Sequence, residues 1–126
     1  IVLDEALNAL DGVDALCTIG VPGTAPRFDD LRIDVDDVAH PMQKVHSRAT
    51  MFGNFTGLPA LMFPSGFDRK GMPTAMQLIG RPFDEAGIIN IASAFQERTD
   101  VHCMSPANRP PSVDAEGTIE PPREMA

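Results

Sequence analysis

The chain has 126 residues, enough for about one domain, and 43% of them are hydrophobic, so a packed core is within reach and wholesale disorder is not expected. A formal net charge of −8 argues against a non-specific nucleic-acid binder and against docking on anionic membranes, because both need a basic surface. No apolar run approaches the roughly 20 residues of a membrane span.

The chain opens on Ile1, and "IVLDEALNALDGVDAL" already reads as helix, as expected of a piece that begins inside an element. Val2, Leu3, Ala6, Leu7 and Leu10 recur at helical spacing, and Asp11-Gly12 stops the helix. "DALCTIG" (14–20) predicts a short apolar strand. Between Val21 and Val45 come four prolines or glycines (Pro22, Gly23, Pro26, Pro41) and five aspartates (Asp29, Asp30, Asp34, Asp36, Asp37). This predicts a long solvated excursion with little regular structure. Its "DVDD" lacks the glycine and the glutamate of a calcium loop at the required offsets, so no metal is expected there.

A short helix is predicted over 45–54. Two strands follow, "PALMFP" (59–64) and "PTAMQLIG" (73–80), joined by the polar loop "SGFDRKG" into an antiparallel pair. Their apolar residues are nearly continuous, the pattern of strands covered on both faces in α/β sheets. Asp84 is the expected N-cap of a last helix whose inner face carries Ile88, Ile91 or Ala92, and Phe95. From Met104 onward prolines and charges replace the apolar pattern, which predicts an extended tail.

Two or three buried strands with two helices do not close a sheet. The expected fold class is therefore α/β: the edge portion of a mixed β-sheet covered by helices, incomplete on its own.

Ser65 lies between Pro64 and Gly66 at the end of an apolar run, where some hydrolases keep a nucleophile. The flanks F-P-S-G-F lead into a loop rather than a helix, so a turn residue is expected instead. Lys44, Arg48, Lys70 and Arg81 could each meet a substrate carboxylate. A solvated role is expected for Lys70, and local carbonyl bonding for Arg81. Asn54-Phe55-Thr56 matches a glycosylation sequon, but no secretory signal accompanies it, so it is taken as accidental. The seven methionines are expected as core filler. Cys17 and Cys103 form no CxxC pair, and with His40, His46 and His102 they give no zinc spacing. Two reduced, mostly buried thiols are expected.

The run "NFTGLPALMFPSGFDRKGMPTAMQLIGRPFDEAGIINIASAFQ" closely resembles the C-terminal part of the amidase signature enzymes. The match runs through Asn54, Thr56 to Ala60, Pro64, Gly66, Phe67 and Gln77 to Glu85. "DALCTIGVPGTAPRF" resembles the strand that usually reads D-x-L-L-T-P, and "TDVHCMSP" the family's usual ending. The resemblance covers residues 1–106; the Pro-rich, acidic tail 107–126 has no counterpart.

The resemblance implies the amidase signature fold and an amide hydrolase, or an amide-transferring relative. It implies a serine nucleophile activated by a second serine and a lysine. All three belong to segments upstream of this stretch, so no catalytic residue is expected in this chain. Ser65 stands where relatives often carry cysteine or alanine. The pocket-wall positions of the family fall to Thr18, Ile19, Gly20 and Pro22, with Ile19 where relatives usually have proline. The stretch "VHSRATMFG" lacks the carboxylate that the tRNA-dependent amidotransferases present there, which favours a general amidase.

The expected partners are a small-molecule amide and the remainder of the amidase fold or a companion chain, with a homodimer left open. No nucleic acid, membrane, metal or cofactor is expected, and the expected location is cytoplasmic. The rival expectations are a truncated, non-catalytic interaction domain and the small chain of a processed enzyme.

Overall fold

The computed structural model describes residues 2–35 and 37–104, together with the backbone of 112–113 and 119–120. Helix α1 (Val2–Ala9) buries Ala6, and Leu10 just beyond it, because the two sit four apart on one face. The turn at 10–12 then feeds strand β1 (Ala15–Ile19). Two further strands, β4 (Ala60–Phe67) and β5 (Pro73–Gly80), complete a three-stranded antiparallel sheet in the order β1-β5-β4. The α/β class expected from the sequence is the one observed.

β5 is the central strand, and its apolar run has a physical reason. Successive side chains point to opposite faces. Ile79 packs with Ala6, Leu10 and Leu58. Its neighbour Leu78 packs with Phe63, Ile88 and Ala92 on the other side. All four residues from Gln77 to Gly80 are buried. The flanking strands are covered less completely, and β1 has an exposed C-terminal half.

Helix α3 (Glu85–Gln96) seals the second cluster through Ile88 and Ala92, with Phe95 against Phe63. The two rings meet edge-on, with centroids 5.2 Å apart and planes at 65°. Ile91, the alternative inner residue, is exposed. Asp84 caps the helix as expected, accepting a hydrogen bond from the Gly87 amide at 3.1 Å. The helix approaches β5 so closely that a Cβ on Gly80 would lie 2.7 Å from a methyl of Ile88.

Three expectations need correction. The excursion 21–45 holds a hairpin, β2 (Arg32–Val35) with β3 (Val38–Pro41), in which Ile33 is buried. Asp37 takes a φ of 61° at its turn, a conformation aspartate tolerates better than most residues. Ser65 is not in a turn: β4 runs on through Phe67 past an irregularity between Pro64 and Gly66. Its hydroxyl lies 3.3 Å from that of Thr74 on β5. Cys17 and Cys103 are free thiols, but both are exposed; Cys17 sits on β1, an outer strand of the sheet.

Helix α2 (Met42–Thr56) is longer than predicted, starting directly after Pro41. It ends at Gly57, whose φ of 67° suits a residue without a Cβ and whose amide bonds the Gly53 carbonyl. A short 3-10 turn, Val101–Cys103, follows α3. Of the tail, only the paired strands β6 (Ser112–Val113) and β7 (Ile119–Glu120) fall within the described residues.

Candidate functional site

A hollow of about 650 Å³ opens between α1, β1 and α2. β1 contributes Leu16, Thr18 and Ile19, and Pro22 follows from the next segment. α1 supplies Ala6 and Ala9, and α2 supplies Val45, Ala49 and Phe52. Ile79 forms part of the floor and Val35 comes from β2. Among the described residues, the charged side chains lining it are Glu5 and Arg48, and neither is buried. The walls are therefore apolar, and such a hollow favours an apolar body over a charged one.

The secondary structure explains this composition. Ala6 and Ala9 are the small residues of α1 on its inner side, so the helix leaves room beside β1. On α2, Val45, Ala49 and Phe52 recur at spacings of four and three and so share one face. Thr18, Ile19 and Pro22 line the hollow, and Ile19 is 59% exposed into open space. Gly20 does not line it. It is buried against β5, where its amide donates to the Ala75 carbonyl at 2.9 Å and a Cβ would lie 3.0 Å from that oxygen. Arg48 of α2, a possible carboxylate partner on sequence grounds, does line the hollow, whereas the apolar contribution of α2 was not anticipated. Its one legible signal was the apolar stripe of Val45, Ala49 and Phe52.

Arg81 anchors one end of the wall. Its Nη2 donates to the carbonyls of Leu10 (2.8 Å) and Val13 (3.0 Å). The carbonyl-bonding role expected of Arg81 is thus observed, although the carbonyls lie 71 and 68 residues away in sequence. The bonds fasten the exit of α1 to the end of β5, so β1 leaves the turn in a fixed direction. Thr18 reaches the buried Gln77 side chain at 3.4 Å across the β1–β5 ladder.

A second cleft, of about 420 Å³, is bordered by Gly23 to Arg27 and is polar. Arg27, Asp30, Arg32, Asp34, Asp68 and Lys70 all border it. Arg27 and Arg32 are engaged by two-pronged pairs, to Asp29 at 2.8 and 2.9 Å and to Asp30 at 2.7 and 3.0 Å. These pairs hold both carboxyls below their ordinary range. Asp68 is also held below its ordinary value. The Met72 amide is the main cause; the Lys70 amide, the Thr24 hydroxyl and the Lys70 charge add to it, against a rise from lost hydration.

Lys70 is exposed in the β4–β5 loop, as expected. The hydrogen-bond partner of the Ser65 hydroxyl among the described residues is Thr74 and not a His, Lys or Asp. Among the described residues, no group of three or more His, Cys, Asp or Glu side chains could hold a metal ion. Among them too, no helix is long and apolar enough to cross a membrane.

The amidase family model matches residues 2–89. The chain is 38% identical over 100 residues to a Glutamyl-tRNA(Gln) amidotransferase subunit of Thermodesulfovibrio yellowstonii, covering 79% of this chain and 19% of that protein. It is 33% identical over 103 residues to a fatty acid amide hydrolase of Oryza sativa subsp. japonica, covering 82% of this chain and 16% of that one. Among solved structures, a Glutamyl-tRNA(Gln) amidotransferase subunit of Thermotoga maritima superposes with a TM-score of 0.65 at 27% identity, over 98% of this chain and 23% of that one. A crystal structure described as an amidase superposes with a TM-score of 0.69 at 23% identity, over 75% of this chain and 21% of that one, which supports the fold. The chain spans about a fifth of the length of the relatives it matches. With more than half of its residues matched by the family model, the chain belongs to the amidase family.

Proposed function

We propose that these residues form one wall of an amide hydrolase that converts a carboxamide and water into a carboxylate and ammonia or an amine. The observation that carries this reading is the apolar hollow bordered by Thr18, Ile19 and Pro22, within the stretch that matches the amidase model. The nucleophilic serine, its activating serine and the lysine come from other segments of the amidase fold or from a companion chain. Without them the chain alone is expected to hydrolyse nothing, because a nucleophile has to be positioned and activated. Ser65 pairs with Thr74, and among the described residues no base is bonded to it, which supports a structural role.

The lining also indicates the substrate. A hollow bounded mostly by Ala, Leu, Ile, Val, Pro and Phe side chains suits an amide whose non-reacting part is apolar. Burying a zwitterion there would cost several kcal/mol unless each charge found a partner. This favours a general amidase over an enzyme specific for a polar amino-acid amide. The cytoplasm suits two exposed free thiols, which persist in a reducing compartment.

The test uses a chimera in which residues 2–104 replace the matching segment of the Thermotoga maritima protein. Ammonia release is followed with aryl and alkyl carboxamides and with glutamine, for the chimera and for the chain alone. The expected result is turnover by the chimera, fastest with the apolar amides, and none by the chain alone. Specific turnover by the chain alone, abolished by Ser65→Ala, would overturn the reading.

A further inference from the structure

The Asp68 carboxylate divides its two oxygens between different tasks. Oδ1 accepts from the amides of Lys70 (2.8 Å) and Met72 (2.9 Å) and so closes the loop between β4 and β5. The Asp68 backbone adds two more bonds to the same loop, from its amide to the Met72 carbonyl and from the Gly71 amide to its own carbonyl. The loop is complete with these four. Oδ2 does something else: it accepts the hydroxyl of Thr24 at 3.1 Å, from a segment 44 residues away.

That segment needs an external tie. Pro22 and Pro26 have no amide to donate. Among the described residues, no backbone–backbone hydrogen bond outside the helices and strands begins or ends between Val21 and Pro26. The segment is located from two sides. Gly20 is bonded to Ala75 at its start. Gly23, with a φ of 100°, lies where a Cβ would come within 2.2 Å of an Ile33 methyl, so the backbone is pressed onto the β2–β3 hairpin. Thr24 to Asp68 is the side-chain bond that closes this arrangement. Pro22, two residues before Thr24, lines the apolar hollow.

We propose that Asp68 is a positioning residue: through the Thr24 hydroxyl it holds the segment from Val21 to Ala25, and with it Pro22, in place as a wall of the hollow. This role rests on the reading of the hollow as the substrate side. A carboxylate suits the task because a bond to a charged acceptor is stronger than one between neutral groups. Asp68 never meets the substrate; it acts through Thr24 on the shape of the wall.

The experiment measures backbone 15N order parameters in the chain, for the parent protein and for Thr24→Val and Thr24→Ser. Thr24→Val removes the hydroxyl and keeps the branched shape; Thr24→Ser keeps the hydroxyl. The parent and Thr24→Ser are expected at about 0.85 for Gly23 to Ala25, the value of ordered backbone, and Thr24→Val below about 0.6. The amides of Lys70 and Met72 serve as the control, since Oδ1 holds them without Thr24; they are expected to stay unchanged. In the chimera, Thr24→Val is expected to raise KM for apolar amides several-fold at unchanged kcat, and Thr24→Ser to restore it. Unchanged order parameters in Thr24→Val overturn the clamp itself. A loosened segment with unchanged KM overturns the assignment of the hollow, and the clamp's role falls with it.

Discussion

The β4–β5 hairpin with α3 and the excursion from Gly20 to Pro41 are held by different forces. In the first, Phe63, Leu78, Ile88 and Ala92 are buried together and the two strands pair along their length. In the second, Ile33 is the one buried residue among the described positions from 21 to 41, and Phe28 is 104% exposed. There the backbone is fixed by two-pronged Arg–Asp pairs, by the Asp68 clamp and by a four-residue hairpin ladder. Apolar burial is non-directional and indifferent to pH, whereas polar ties are directional and titrate. The wall segment that includes Pro22 lies in the second region. The part of the wall at Pro22 is therefore set by the weaker of the two kinds of force, and the floor at Ala6 and Ile79 by the stronger.

The contrast can be tested by mutation. The largest effect is expected at Ile79, which is 1% exposed and sits between Ala6, Leu10 and Leu58. Ile79→Ala should cost about 3 kcal/mol in urea unfolding of the chain, from lost burial plus the cavity left behind. Next is Arg81→Met. It keeps the stem but leaves two carbonyls without their donor, and a cost of about 1.5 kcal/mol is expected from the same titration. Asp84→Ala should cost about 1 kcal/mol through loss of the α3 cap. Arg27→Ala removes a solvent-exposed pair, and no measurable change in the urea midpoint is expected. A large destabilisation there would break the contrast drawn between the two regions.

The smallest effect is in pH. Folding holds the Asp68 carboxyl below its ordinary value of 3.8. Its contribution is therefore present above that value and is lost as pH falls through the lower folded value. Order parameters of Gly23 to Ala25 should stay constant from neutral pH down to about 4. They should fall only in more acidic solution, together with a response of the Lys70 and Met72 amides, which share the same carboxylate. A loss that begins near neutrality would place the tie elsewhere.

The same contrast governs what the sequence discloses. "PTAMQLIG" reads as a strand covered on both faces, and β5 is one, because continuous apolar residues leave no other solution. Asp84 is legible as a cap because its role is local. β2 and β3 are not legible by apolar count: Ile33, Val35 and Val38 are matched by three aspartates, Asp34, Asp36 and Asp37, and the signal is the alternation of Ile33 and Val35 before the turn at Asp37. Ser65 misleads because Pro64 and Gly66 suggest a turn, while the pairing with Thr74 carries the strand past them. The exposure of Cys17 depends on where β1 lies in the sheet, which its own residues do not encode. At the hollow, Thr18, Ile19 and Pro22 come from the family resemblance. Phe52 and Arg48 come from a helix about 30 residues on, and only the folded chain brings them to the same place.

The central claim is that the hollow receives the apolar part of an amide while the chemistry comes from elsewhere. Steady-state kinetics of the chimera carrying Ile19→Asp test it most directly, because Ile19 is open to solvent and its replacement leaves the core untouched. The account predicts a KM raised about tenfold or more for alkyl and aryl amides, with kcat preserved, since a carboxylate in an apolar wall opposes an apolar guest. An unchanged KM would contradict it and place the substrate outside this hollow.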